Sequence, residues 1–573
     1  MVRERIQKLW RVVWHGFWAA CYRVVERRAH HNSVVIRIEG AYPEVVPFSV
    51  WRYFRRDRRD FARLVESLRL VAADPKIETL VIVVSHGRMG LARTQETARL
   101  VRAARAAGKK TIAVIESGHT PDYAIAAQCE RVVIVPGALL FVTGLAFESL
   151  FVKDLLDHLD VEPDLLHEGR YKSAAETLMR SGPSRDADRM MKELLADVHR
   201  ELIDLIAAGR GVDAARVCEW LDGGPYGSSD AKSGGLVDDV AYWDEVRSGL
   251  GFDNGKRRFI ASHRHHRIHA AVERHEALAK SAPVVAVVTA AGPIVDRSGR
   301  QSGAQITPKA LGRVLRALRR DDDVKAVVLR VASPGGSGSA SDLIHRELMR
   351  LKKKKPLVVS MGDVAASGGY YLAMAGDVVF TESASLTGSI GVISGKVSLR
   401  GLYDRIGVKK TVYRGGENAA IMSDYGTFSD GERKRMKALN REFYDLFKSR
   451  VASSRQMSVE EVEERAQGRV WSGAAAVERH LADRIGGLNE AINEAILRAK
   501  AGPLALVEHV HYVREPWMSF GSLPIAREMS SAVAALGDLV GEWSALYEEL
   551  SLVRPEPTCL AVSRPRPVDS DEW

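Results

Sequence analysis

The apolar positions of this chain fall into short runs of strand length, separated by longer stretches of helical period. In the second half, 284–292 (VVAVVTAAG), 326–331 (AVVLRV), 357–362 (LVVSMG) and 377–383 (DVVFTES) are rich in β-branched residues, the mark of buried strands. Helical patterns lie between them, as at 337–353 and 365–375. The first half gives 33–40 (SVVIRIEG), 79–84 (TLVIVV), 111–117 (TIAVIES) and 131–137 (RVVIVPG) in the same order. Strands alternating with helices predict βαβ units and a largely parallel sheet, hence an α/β fold class.

The likeness of the halves extends to their residues. KIETLVIVV (76–84) echoes DVKAVVLRV (323–331), and YAIAAQCE (123–130) echoes YYLAMAGD (370–377). Gly144 then falls opposite Gly391, at the same offset of 247 residues. Tyr226 and Trp471 each precede a small-residue helix ending in Leu-x-Asp, at 236–238 and 481–483. An internal repeat of this length predicts two similar α/β domains from a duplication. The chain divides into a basic N-terminal helix (1–31), a first repeat (32–255), a linker (256–280), a second repeat (281–500) and an extension (501–573). The extension carries a helical stretch near 524–552 and a Pro-rich, polar tail whose composition predicts disorder.

Composition narrows the function classes. Of 573 residues, 46% are hydrophobic and 27% charged, which excludes a wholly disordered or fibrous chain. The cysteines at 21, 129, 218 and 559 match neither a disulfide framework nor a zinc pattern. Half of the net charge of +10 sits in the first 31 residues, where seven Lys/Arg face Glu4 and Glu26. No zinc-finger, RNP-like or helix-turn-helix signature accompanies that charge, so nucleic acid is not the expected partner. Residues 9–25 are apolar but carry Arg11, His15 and Arg23, too short and too charged to span a bilayer. Trp10, Val13, Trp14, Phe17, Trp18, Cys21, Val24 and Val25 recur at helical spacing. That face suits an anionic membrane surface or docking on another protein element. The linker holds histidines at 263, 265, 266, 269 and 275; His265 and His269 sit four apart, with no acidic or Cys residue within three positions of either. It reads as a basic solvated connector, and no metal site is expected.

Candidate chemistry lies in two small-residue loops of the second repeat. Ser333-Pro334-Gly335-Gly336-Ser337 follows one strand and Ala365-Ala366-Ser367-Gly368-Gly369-Tyr370 follows the next. In parallel sheets ligands bind at the carboxyl ends of strands. Gly-Gly pairs let backbone N–H groups approach a substrate, and a Ser beside them gives a nucleophile next to an oxyanion hole.

SPGGSGSASDLI (333–344), DVAASGGYYLAMAGD (363–377) and TGSIGV (387–392) resemble the signal peptide peptidase A (protease IV) family in its long, tandem form. The resemblance covers about 32–500. It implies crotonase-like, Clp-protease-like domains, a Ser-Lys dyad without metal or cofactor, peptide substrates such as cleaved signal peptides, and a homo-oligomer, tetrameric in the family. It makes Ser367 the nucleophile and the amides of Gly336 and Gly368 the oxyanion hole, with Gly335 the alternative to Gly336. Ser389 would line the substrate groove. Long forms take the Lys from the first half, where Gly169-Arg170-Tyr171-Lys172-Ser173 matches, so Lys172 is the expected general base. Ser173 is a candidate to orient its amine, and Arg170 to depress its pKa if it points inward.

The repeat supplies an independent check on the residues themselves. Lys172 falls opposite Ala419, while the first half has no Ser-Gly-Gly opposite 367–369 and offers Ser85-His86-Gly87-Arg88 opposite the 333–336 loop. Each half lacks what the other keeps, as one composite site requires. The competing readings are a crotonase-type acyl-CoA enzyme, for which no Glu pair is evident, and a non-catalytic scaffold. The expected location is the periphery of the cytoplasmic membrane.

Overall fold

The computed structural model describes residues 2–28, 31–45, 60–250, 258–297 and 304–510, with side chains from residue 12 onward. The helix expected near 524–552 and the tail lie outside them. The first repeat contributes β1 (Ser33–Ala41), β2 (Thr79–Arg88), β3 (Lys110–His119), β4 (Arg131–Ile134) and β5 (Leu139–Phe141). After β6 (Glu162–Glu168) come β7 (Tyr226–Gly227), β8 (Asp239–Val240) and β9 (Phe259–Ala261). These strands, β6 excepted, form an eight-stranded sheet ordered β7-β5-β3-β2-β1-β9, with β4 and β8 branching from β3.

The second repeat supplies β10 (Val284–Ala291), β11 (Val324–Ser333), β12 (Leu357–Ala366), β13 (Val378–Thr381), β14 (Leu386–Gly388), β15 (Val392–Ser398), β16 (Val470–Ser472), β17 (Arg484–Ile485) and β18 (Leu506–Val510). Its sheet has the same plan, β16-β14-β12-β11-β10-β18, with β13 and β17 branching from β12. Pairing within both sheets is parallel, except β5 with β7 and β14 with β16. The fold is therefore two tandem α/β domains of one topology. Central strands are buried on both faces, which is why they read as unbroken apolar runs.

The Leu-x-Asp echo has a structural cause. Tyr123 Oη donates to the Leu236 carbonyl at 2.7 Å, and Tyr370 Oη to that of Leu481 at 2.9 Å. Asp238 and Asp483 each accept the amide of the adjoining strand, Val132 or Val379, at 2.7 Å. Strand β9 lies inside the segment expected as a linker, yet it pairs with β1. Its counterpart β18, at the same offset of 247, pairs with β10. Three residues of edge strand carry no hydrophobic period, so their place in the sheet rests on backbone pairing alone. The segment expected as helix from 365 starts at Gly368, because β12 continues through Ala366 along β14.

The N-terminal helix Val2–Arg28 lies along the helix Ser262–Ala279. Trp18, Tyr22 and Val25 are buried there against Ile268. One side of the expected apolar face is thus docked within the chain, while Val13, Phe17 and Val24 stay exposed. No helix among the described residues is long and apolar enough to cross a membrane.

Two of the features that join the repeats set how the halves meet near the second sheet. Strand β6 of the first pairs antiparallel with β15 of the second over seven residues, Glu162↔Ser398 through Glu168↔Val392. The helix Leu91–Ala106 also lays a row of polar side chains on the second sheet. Gln95 accepts the Ala384 amide at 2.8 Å, and Glu96 accepts that of Leu488 at 2.5 Å. Arg330, fully buried, pairs with Glu44 at 2.8 Å and Glu96 at 3.2 Å. Arg99 bridges Glu382 and Glu490, at 2.5 and 2.8 Å. Burial pushes the Glu96 carboxyl up to about 7. Breaking a buried pair strands its partners. Arg330→Met should therefore lower the unfolding free energy by about 3–5 kcal/mol. Glu490→Gln, at a partly exposed position, should cost less than about 1 kcal/mol; urea denaturation of both variants measures the contrast.

Candidate active site

The site forms where β6 delivers the first repeat's chain onto the carboxyl ends of β11 and β12. Four residues past β6, Lys172 stands ahead of a short 3₁₀ turn, Ser173–Ala175. Its backbone is fixed by the second repeat: the Tyr171 amide donates to the Gln467 carbonyl at 2.7 Å, and the Arg170 amide to Gln467 Oε1 at 3.0 Å. A Cβ on Gly468 would lie 2.6 Å from the Lys172 backbone nitrogen, so only glycine admits this approach. The Lys172 side chain then runs inward past Gly391.

Lys172 Nζ lies 3.0 Å from Ser367 Oγ, 2.7 Å from the Ser389 carbonyl and 2.9 Å from Ser389 Oγ. The lysine is 7% exposed. Burial alone pushes its ammonium down from 10.5 to about 8. Arg170 has no part in this, because it points outward to Asp186 at 2.7 Å. Ser389, expected in the groove, is half-buried and touches the amine, the position considered for Ser173. Its signal in the sequence is the TGSIG motif alone, which a turn serine also fits.

Ser367 occupies the turn between β12 and the helix Gly368–Ala373, with φ +52° and ψ −118°. That backbone region is strained for any residue but glycine, and such strain persists only where surrounding structure enforces it. Here the Ser367 amide is held by the Gly388 carbonyl at 2.8 Å. Gly368 opens the helix, so its N–H has no intrahelical acceptor. Gly335 (φ +98°) and Gly336 (φ +149°) carry the other loop against it, and a Cβ on Gly335 would meet the Gly368 nitrogen at 2.6 Å. The Gly335 amide is engaged by Ser333 Oγ at 3.1 Å. Gly335 is buried and Gly336 exposed. Ser367, Lys172, Ser389 and both glycine loops are thus brought together.

The corresponding place in the first repeat is filled. Asp122, 2% exposed, accepts the amides of Gly87 at 3.1 Å and His119 at 3.0 Å. A carboxylate occupies the amides of the two loops. His345, the histidine nearest in sequence to the second site's loops, is buried edge-on against Tyr371, and burial lowers it to about 4.

The sequence profile of peptidase family S49 matches residues 103–251 and 349–501. The chain is 31% identical to the chloroplastic serine protease SPPA of Arabidopsis thaliana, over 77% of this chain and 65% of that protein. It is 30% identical to Protease 4 of Haemophilus influenzae, over 75% and 72% of the two chains. For Protease 4 of Salmonella typhi the values are 29%, 73% and 68%. Among solved structures, a ClpP1 mutant from Listeria monocytogenes aligns with 36% of this chain and 94% of its own, at 13% identity and a TM-score of 0.25. The architecture stated above rests on the two sheets themselves. The chain belongs to peptidase family S49.

The displaced amine predicts a linkage. Between pH 8 and 10.5 the unfolded Lys172 holds a proton that the folded one has lost, so stability rises with pH across that window. The unfolding free energy of wild type relative to Lys172→Met should increase by up to about 3 kcal/mol there. A flat difference would mean the amine titrates as an exposed one.

Proposed function

We propose that this protein is a serine endopeptidase working through a Ser367–Lys172 dyad on extended, hydrophobic peptides such as cleaved signal peptides. The observation that carries the reading is the buried amine of Lys172, 3.0 Å from Ser367 Oγ with no carboxylate among its hydrogen-bond partners. A neutral amine has two N–H groups and one lone pair. The N–H groups suit the Ser389 carbonyl and Oγ, which turns the lone pair to the Ser367 hydroxyl.

Ser367 Oγ attacks the scissile carbonyl as Lys172 takes its proton. The oxyanion rests on the amides of Gly368 and Gly336. Gly336 is preferred over Gly335 because the Gly335 amide already donates to Ser333 Oγ. The Lys172 ammonium next protonates the leaving amine, and the C–N bond breaks. Water then attacks the acyl-enzyme, giving a proton to Lys172, which returns it to Ser367 Oγ as the ester C–O bond breaks and the peptide acid leaves. Ser389 is a positioning residue in this scheme. No acidic pair stands on the Ser367–Lys172 contact, as crotonase-type chemistry would need.

The exposed Val13, Phe17 and Val24, on a basic helix, are the surface by which the enzyme would rest on an anionic membrane. The repeat also supports a homo-oligomer. Among the described residues the β6–β15 pair joins the first half to the second only once. The repeat equivalents of β15 and β6, at an offset of 247, are 145–151 and 409–415. Both are mostly exposed and carry no strand, with Leu150 78% and Tyr413 94% exposed. Segment 409–415 of one copy pairing with 145–151 of the next repeats the internal contact head to tail, a contact that gives a ring where its rotation closes.

Cleavage of casein and fluorogenic hydrophobic peptides should disappear in Ser367→Ala and fall at least ~100-fold in Lys172→Met. For wild type, log kcat/KM should rise with unit slope up to about pH 8 and level off above it. Activity retained in Lys172→Met would overturn the base assignment. Light scattering should find wild type as an oligomer and Val412→Pro, which removes an amide donor from the middle of 409–415, as a monomer.

A further inference from the structure

The helix Ser262–Ala279 follows β9 and packs beneath the N-terminal helix. His265 and His269 have no acidic residue within three positions in sequence, but the fold supplies one. Asp74, at the C-terminal end of the helix Phe61–Ala73, reaches it across 191 residues. Asp74 Oδ2 lies 3.2 Å from His265 Nε2 and 3.2 Å from His269 Nε2. The other oxygen is fixed by the Lys76 amide at 2.9 Å. His31, entering ahead of β1, completes the group and meets the His265 ring edge-on at 5.8 Å. One ring nitrogen from each of His31, His265 and His269 falls within 4.8 Å of the others.

The tautomer of His265 follows from its partner. A carboxylate only accepts, so His265 Nε2 carries the proton, and Nδ1 of the neutral ring is a bare lone pair. His265 is fully buried, and its Nδ1 has no hydrogen-bond partner among the described residues. His269 Nε2 faces the Asp74 carboxylate without hydrogen-bond geometry. An orphaned imidazole nitrogen such as His265 Nδ1, buried in this cluster, is costly unless something binds it. A carboxylate behind a histidine whose other nitrogen faces inward is the arrangement that orients a metal ligand. Positions 265 and 269, one helical turn apart, present two imidazoles to one ion. Zinc–nitrogen bonds of about 2.1 Å set tetrahedral ligands roughly 3.4 Å apart, so small ring rotations close the set.

We propose that His31, His265 and His269 form a site for a divalent transition-metal ion, zinc being the ion three neutral imidazoles suit, with Asp74 as the carboxylate orienting His265. The ion ties the end of the N-terminal helix, the first repeat and the inter-repeat helix at one point. None of its ligands belongs to the Ser367–Lys172 site, so its role is to lock the N-terminal helix in place. The sequence cannot reveal this set, because its members lie at 31, 74 and 265–269.

The test uses the full chain, stripped with chelator, desalted and titrated calorimetrically with Zn²⁺. One ion per chain is expected, and Zn²⁺ should raise the Tm of wild type. His31→Gln and His269→Gln, both at partly exposed rings, should each weaken binding at least ~100-fold and abolish the Tm rise. Asp74→Asn should weaken it ~10–100-fold, as for an outer-shell partner. Ser367→Ala and His266→Gln, whose ring pairs with Glu66 at 2.7 Å, should bind as wild type does. Circular dichroism of the stripped variants checks their fold. No saturable binding at one per chain, or binding and Tm rise unchanged in His31→Gln and His269→Gln, would overturn the proposal.

Discussion

The constraint on which the rest depends is the antiparallel ladder between β6 and β15. It is the strand pairing that joins one repeat to the other, and it fixes seven residues in register. Four residues beyond it, Lys172 must enter the second repeat, held by Gln467 and admitted by Gly468. A slip of one residue would turn every β6 side chain to the opposite face and carry Lys172 away from Ser367. The polar row on the helix Leu91–Ala106 backs the ladder from a second direction. Its Glu96 and half-buried Arg99 meet the buried Arg330 and Glu382 at the seam. Such pairs add little net stability but penalise any misaligned docking, which would leave charges unpaired in a low dielectric.

The ladder also accounts for how the two copies diverged. Once one repeat delivers a lysine into the other's loops, the reciprocal lysine and the reciprocal serine are redundant. In the first repeat the amides of Gly87 and His119 are satisfied by Asp122. In the second, Ala419 stands where a lysine would be, in a stretch left exposed. The same asymmetry leaves 145–151 and 409–415 without a strand partner among the described residues.

Much of the fold was legible in sequence, because burial on both faces makes a parallel strand read as an unbroken run, as in 79–84 and 326–331. The repeat was legible because paired hydrogen bonds, Tyr123 to Leu236 and Tyr370 to Leu481, need the same residues at the same spacing. What stayed hidden had no local pattern. Strand β9 is three residues of edge pairing inside a histidine-rich stretch. The N-terminal helix shows one apolar face, but which side of it is covered depends on Ile268, more than 240 residues away.

By itself the sequence determined two α/β copies, the glycine loops, and the complementary losses that point to a single composite site. Those features are written in spacing, and spacing is local. Only the tertiary structure decided that Lys172 Nζ stands 3.0 Å from Ser367 Oγ, that Ser389 holds the amine, that Arg170 turns away, and that Asp74 meets His265. Each of these joins residues from separate elements, and the distance between them is set by how two sheets and their covering helices pack.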